Sequence, residues 1–443
     1  MPEAAAPLLA VNSHYLDKVM GLSQVMEVRA TEDIYDARGV KLLAKGALIS
    51  SALQERLILH KLKKPLETCL AVAGGVDSDY IVAQARRLAE INRPLLQVLC
   101  LVGGKDASPF DMLADLRLGN AMNLMLTLVE RGGEQALDHA IFVSLIAYTL
   151  ASKSGMSRDV QTTVMLAGLL HDIGELYIDP ELLQAGRRLR PHEWRHIIVH
   201  PKISQMLIAE VGNYPPQVAQ AAADHHERLN GTGYPRQLRG ADFLLPGQVL
   251  AVAEMISGVF MVQQRGLERA ELALKVIPGE HAPLLVSALS GALQHANDAE
   301  AGEFSGSGET IAAARSLRQR IAVTQASAQA LADSGQLASR DGLALLRQAA
   351  ERVAVIERAF AGTGLEDPAL LDDSALFSDQ GFIFEISVVI REIGWRLRDV
   401  ARDLSCSSMC LDIHEAASID RLIDAIDGCD GIDDESDQRT QST

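Results

Sequence analysis

The strongest constraint on this chain is the placement of imidazoles and carboxylates at the ends of apolar stretches. His171 and Asp172 follow the run VMLAGLL, and His225 and His226 follow VAQAAAD. A lone histidine on an apolar helix is ordinarily a packed, hydrogen-bonded residue. Several of them with a carboxylate are costly to bury unless something satisfies the whole group, and a metal ion does so. His139, His200 and Glu254 stand on neighbouring segments of helical character and complete a set of seven. Imidazoles and carboxylates without thiolates suit iron, manganese or zinc at a working centre better than a structural zinc. Asp172 has two oxygens and can bridge two cations. His225 and His226 would point about 100° apart on a helix, and so serve different metals or line different walls. Two metals about 3.5–4 Å apart are a standard clamp for phosphoester hydrolysis.

Length and composition bound the rest. With 443 residues, two or three domains are expected. A hydrophobic fraction of 48% is ample for packed interiors, and only 4% aromatics beside abundant Ala and Leu favours helix over sheet. The net charge of −17 argues against a nucleic-acid polymer as partner, because neutralising phosphates needs clustered Lys and Arg. A small phosphate-containing ligand stays compatible, since metal ions supply local positive charge. The five cysteines, Cys69, Cys100, Cys406, Cys410 and Cys429, form no CxxC and suggest neither a disulfide framework nor a zinc ribbon. Residues 1–22 lack signal-peptide character, and no run approaches the ~20 apolar residues that span a bilayer. The expectation is a cytoplasmic protein without a membrane segment.

Along the chain, residues 1–125 read as an accessory domain of short strands and helices. A turn falls at Asp36–Gly39, Ser50 or Ser51 is placed to cap a helix from about Ala52, and a break falls around Gly103–Pro109. From Glu134 helices dominate: one ends at Gly155, the next starts at Ser157, and another opens at Pro215–Pro216. Residues 126–300 form the second domain in this reading. In 305–427, Leu317, Ile321, Thr324, Ala328 and Leu331, then Leu346, Ala350, Val353 and Phe360, then Ile386, Ile390, Ile393, Leu397, Val400 and Leu404 follow helix-seam spacing. They predict a bundle core or, in the sharper reading, a homodimer interface. The acidic, polar stretch 428–443 reads as a disordered tail.

The segments HDIGELYI, His200–Pro201 and HHERLNGTGYP, in that order, resemble the HD-GYP branch of the HD metal-dependent phosphohydrolases. The resemblance covers about residues 130–265 and implies a mainly α protein. With the C-terminal seams above, the expected architecture is an all-helical HD-GYP domain, a small mixed α/β N-terminal element and a C-terminal helical bundle. The resemblance implies hydrolysis of cyclic di-GMP to pGpG and GMP with two or three metals in bacterial second-messenger signalling. His139, His171, Asp172, His200, His225, His226 and Glu254 match the metal ligands; His171 and Asp172 are the catalytic pair, with Asp172 bridging. Gly233, Tyr234 and Pro235 match the signature loop, which lies beside the ligand and is a contact face for signalling proteins.

Four departures bear on this. Gln135 stands where trinuclear members carry a glutamate ligand, so two metals are expected, iron or manganese ahead of zinc. Glu254 replaces the family's aspartate. Glu175 replaces a lysine that faces the phosphodiester, and MVQQRGLER replaces the arginine-bearing RPYR segment, leaving Arg265 out of register. The metal shell is kept and the phosphate shell is eroded. His192 and His196 read as surface residues, Trp194 as a core aromatic, and Asn230 and Gly231 as a turn. Glu227 reads either as an acceptor orienting an imidazole or as a solvated surface group. The first functional reading is therefore a cyclic di-GMP phosphodiesterase. Its alternatives are a metal-binding relative without turnover, acting as a cyclic di-GMP sensor or a scaffold, and a hydrolase for another phosphate ester.

Overall fold

Short polar residues set many of the helix starts, because their side-chain oxygens accept the N–H groups that a first turn leaves unpaired. Asn12, Asp77, Asn92, Ser108, Ser157, Ser339, Asp379 and Asp412 all do this. The computed structural model describes residues 10–428 except 51–52, 103–105, 134, 185–186, 188, 261–264, 294–306 and 372–377. It is mainly helical. The first part holds α1 (Ser13–Ser23), β1 (Val28–Ala30), β2 (Ile34–Tyr35), β3 (Lys41–Leu43), α2 (Gln54–Ile58), β4 (Leu70–Val72), α3 (Ser78–Ile91), α4 (Arg93–Leu99) and α5 (Pro109–Asp115). The middle part holds α6 (Asn120–Gly132), α7 (Ala136–Lys153), α8 (Arg158–Leu170), a 3-10 turn (Ile173–Tyr177), α9 (Trp194–Ile197), α10 (His200–Glu210), α11 (Pro216–Ala223), α12 (Leu245–Phe260), α13 (Gly266–Lys275) and α14 (Pro283–Leu293). The last part holds α15 (Ser307–Asp333), α16 (Arg340–Ala361), α17 (Pro368–Leu371), α18 (Gln380–Ser408) and α19 (Ile413–Asp427).

The strands form two small antiparallel pairs, β1 with β4 (Val28 opposite Val72) and β2 with β3 (Ile34 opposite Leu43). The turn at Asp36–Gly39 is present, closed by Gly39 N–H donating to the Asp36 carbonyl. The expected serine cap is not. α2 starts at Gln54 behind Leu53, which makes no side-chain cap bond, and Ser51 and Ala52 lie outside the described residues. Gly103, at the expected break, and the tail from residue 429 also lie outside them.

The sequence of α7 is apolar on nearly every face, so the helix must be surrounded. Every residue from His139 to Ser152 is buried, with α8 and α12 packed alongside. Gly168 lets α8 approach closely, since a Cβ there would stand 2.8 Å from the Ser144 Cα. One continuous apolar core runs from Tyr15 in α1 to Leu289 in α14, so the part from α1 to α5 shares it with the helices that follow.

A second core gathers Leu317, Ile321, Leu346, Val353, Phe360, Ile386, Ile393, Leu397, Val400 and Leu404 with α19. The expected seams hold except at Ala350, which is exposed while Ala349 is buried, because strict 3-4 spacing drifts across a helix of 3.6 residues per turn. Ile386, Ile393 and Leu397 are covered by the chain's own helices, so this stripe is an internal core and not a face open to a second copy.

The bundle is joined to the middle part through buried charge. The Arg396 guanidinium donates to both Glu280 oxygens and, at 2.9 Å, to Glu392. Arg228 pairs with Asp399 at 3.0 Å and lies over the Trp395 ring. Asp403 accepts from Gln237 and from Arg352. Among the described residues no helix is long and apolar enough to cross a membrane.

Candidate metal centre

Helix ends leave carbonyls without partners, and here imidazoles take them. His171 follows α8 and its Nδ1 donates to the Gly168 carbonyl at 2.7 Å. His200 Nδ1 donates to Ile197 at 2.8 Å, and His225 Nδ1 to Ala222 at 2.6 Å, each to the carbonyl three residues back. The fourth, His139, meets the Ser257 hydroxyl through Nδ1 at 3.0 Å. With Nδ1 engaged, the Nε2 lone pairs are the free ligand atoms, and they converge. His139 and His171 Nε2 are 3.3 Å apart, and His200 and His225 Nε2 are 3.1 Å apart.

Asp172 lies between the two pairs. Its Oδ2 is 2.6 Å from His171 Nε2 and 3.6 Å from His139 Nε2, while Oδ1 is 3.3 Å from His200 Nε2 and 3.4 Å from His225 Nε2. Glu254 Oε2 stands 3.2 Å from both His139 and His171. His226 groups with His200 and His225, all donor atoms within 4.8 Å of one another. The arrangement is two half-sites sharing one carboxylate.

The fit to metal ions rests on lone pairs facing lone pairs. Both Asp172 oxygens, Glu254 Oε2 and His226 Nε2 are buried without a hydrogen-bond partner. Acceptors crowded to 3 Å repel unless a cation sits among them. Burial pushes the His225 and His226 pKa values down, which keeps both neutral and able to ligate. Burial also opposes an imidazolium at His171, yet Asp172 and Glu254 pull that pKa well above its ordinary value. The same carboxylates would favour a metal ion at that place. The HD domain family matches residues 120–274. The match covers about a third of the chain, and this part is similar to HD-GYP proteins.

Similar curated proteins include the 3'3'-cGAMP-specific phosphodiesterase 1 of Vibrio cholerae, 32% identical over 136 residues, or 31% of each chain. The 3'3'-cGAMP-specific phosphodiesterase 2 of the same organism is 28% identical over 189 residues, 42% of this chain and 36% of that one. A cyclic di-GMP phosphodiesterase of Thermotoga maritima is 30% identical over 156 residues, 35% of this chain and 40% of that one. The chain thus spans well under half the length of these relatives.

The loop that carries Gly233, Tyr234 and Pro235 packs on the histidine cluster. The Tyr234 ring stacks on His226 at 4.5 Å and meets Trp194 edge-on at 5.4 Å. Gly233 is buried where a Cβ would collide with Glu227 and Arg228 backbone, so it serves close packing. Asn230 and Gly231 turn the chain, with Thr232 N–H donating to Asn230 Oδ1 at 3.1 Å and Gly231 at φ +79°. Glu227 takes neither expected role. It is buried, and its carboxylate accepts the Arg236 and Leu238 N–H groups at 2.5 and 2.9 Å, stapling the loop shut. The face of Trp194 is already covered from α18 by Arg402, 4.3 Å from the ring centre. His192 and His196 are exposed as expected.

The departures also resolve. Gln135 is an exposed residue at the start of α7 and lies outside the shell. Arg265 stacks on Phe384 at 3.8 Å and pairs with Glu268, so it braces α18. Glu175 is directed into the cluster. One of its oxygens groups with Asp172 and His200, and burial with the neighbouring carboxylates raises its pKa well above the usual range. Ser257 was missed from sequence. Its only signal is the Glu254-x-x-Ser257 spacing, which places it on the Glu254 face of α12.

Proposed function

We propose that the protein is a metal-dependent phosphodiesterase that hydrolyses cyclic di-GMP to pGpG and GMP. The observation that carries this reading is Asp172, whose two oxygens each face a different group of imidazole nitrogens. Two divalent ions, iron or manganese ahead of zinc, would be held by His139, His171 and Glu254 on one side and by His200, His225 and His226 on the other. Such ions supply a nucleophile from water and stabilise charge developing on phosphorus.

The chain's own residues do the rest. Asp172 fixes the spacing of the half-sites and His171 adjoins it. The backbone bonds of His171, His200 and His225 prevent the rings from turning, which keeps the centre organised for the reaction. Tyr234 and Pro235 form the wall beside His226 against which the substrate lies, with Gly233 packed beneath them. Like the similar phosphodiesterases, the chain is read as acting on a cyclic dinucleotide in bacterial signalling.

Protein loaded with manganese or iron, given cyclic di-GMP and 3'3'-cGAMP in parallel, tests this by product chromatography. Linear products from cyclic di-GMP are expected, falling at least about a thousandfold in Asp172→Ala. Product from 3'3'-cGAMP alone would replace the substrate. About two bound metal equivalents without any product would overturn the enzyme reading.

A further inference from the structure

The two half-sites are unequal in charge if only the seven expected ligands are counted. The His139 side has two imidazoles, Glu254 and a share of Asp172. The His200 side has three imidazoles and only the other share of Asp172, so it lacks an anionic donor of its own. Glu175 stands there. One carboxylate oxygen of Glu175, one of Asp172 and a ring nitrogen of His200 lie within 4.8 Å of one another. Glu175 Oε1 is buried with no hydrogen-bond partner.

The backbone around Glu175 is held from several directions. Its N–H donates to the Asp172 carbonyl at 2.9 Å, which ties it to the bridging residue. Gly174 N–H donates to Ser204 Oγ at 2.9 Å, and a Cβ on Gly174 would collide with the His200 carbonyl. From the far side, α1 clamps the turn. Lys18 Nζ donates to the Glu175 and Leu176 carbonyls, both at 3.2 Å, and Asn12 donates to the Tyr177 carbonyl at 3.2 Å. Tyr15 stacks on Tyr177 at 5.1 Å.

Building on the metal-centre reading above, we infer that Glu175 is a metal ligand of the His200 half-site, the counterpart there of Glu254. The substitution that reverses charge beside the expected phosphate position thus adds a donor to the shell. The N-terminal segment, through Lys18 and Asn12, positions the turn that presents it.

Full-length protein is stripped with a chelator and titrated with manganese, reading bound equivalents by elemental analysis and ion pairing by electron paramagnetic resonance. Wild type is expected to hold two equivalents as a coupled pair. In Glu175→Gln the second equivalent weakens at least tenfold, and the spectrum becomes that of an isolated ion. Glu175→Asp recovers part of the loss. In thermal melts, Glu175→Gln lowers the manganese-loaded midpoint but not that of the stripped protein, because an acid crowded by acceptors is not stabilising without a cation. Two tight equivalents with a coupled spectrum in Glu175→Gln overturn the inference and leave the metal centre standing. Equal lowering of both midpoints also overturns it. If wild type binds no manganese, the metal-centre reading falls with it.

Discussion

Two buried polar assemblies among the described residues are satisfied in opposite ways. Around Arg396, donors and acceptors are matched. The guanidinium reaches Glu280 and Glu392, and although burial works against its carboxylate, Glu280 is held at about 2 by Arg396 and Arg228. Around Asp172, ring nitrogens and carboxylate oxygens converge with more lone pairs than donors, and Glu254 Oε2 and His226 Nε2 are buried without a partner. Buried charge alone therefore says little about function. A surplus of lone pairs in a dry place marks where a cation belongs.

The contrast can be broken by experiment. Metal removal should act on the Asp172 assembly alone. At free metal a thousandfold above Kd, one site contributes about 4 kcal/mol, so chelation should lower the melting midpoint strongly. Unchanged melting after verified metal loss would erase the distinction. Arg396→Met should cost about 3–5 kcal/mol by leaving Glu280 and Glu392 unpaired in the interior. Its metal content should not change, and denaturant titration with metal analysis checks both.

His281, next to Glu280 with its Nε2 buried and without a hydrogen-bond partner, adds a pH signature beside the matched assembly. Burial depresses its pKa from 6.5 to about 4. It is neutral in the fold, whereas the unfolded chain takes up the proton near 6.5. Stability from this group is thus complete above about pH 6.5 and falls by about 3 kcal/mol as pH drops towards 4. Glu280 acts lower, losing its contribution between about 4.5 and 2. Metal-free His281→Gln should flatten the upper window in pH-dependent unfolding; an unchanged slope would show that another group carries it. The smallest effect expected is from Ser257→Ala, which frees the His139 ring to turn and should weaken metal binding about tenfold while leaving the Arg396 network intact. Calorimetric titration reads that change.

Much of the candidate centre was legible because His171, His200 and His225 sit at helix ends, where local signals are strong. Gly155 ends α7, Ser157 starts α8, and His171 follows the last apolar turn. The mainly α class was legible for the same reason. What could not be read depends on contacts between distant segments. Glu227 looks like a surface acid until the loop at 236–238 folds back onto it. Glu175 looks like a lost lysine until His200 is brought beside it. Arg265 looks like a displaced phosphate ligand until Phe384 lies against it. Each role is set by a partner far away in sequence, which periodicity does not encode.

The continuous core from Tyr15 to Leu289 has a practical consequence for dissecting the molecule. A fragment cut at the family boundary near residue 120 would strip Met122, Leu126 and Ile141 of part of their apolar surroundings and remove the clamp of α1 on the turn at 173–177. The smallest unit that keeps the centre intact begins ahead of Asn12. The N-terminal segment is thus a fixed brace behind the turn at 173–177, and a strain applied to it reaches the candidate metal centre through that turn.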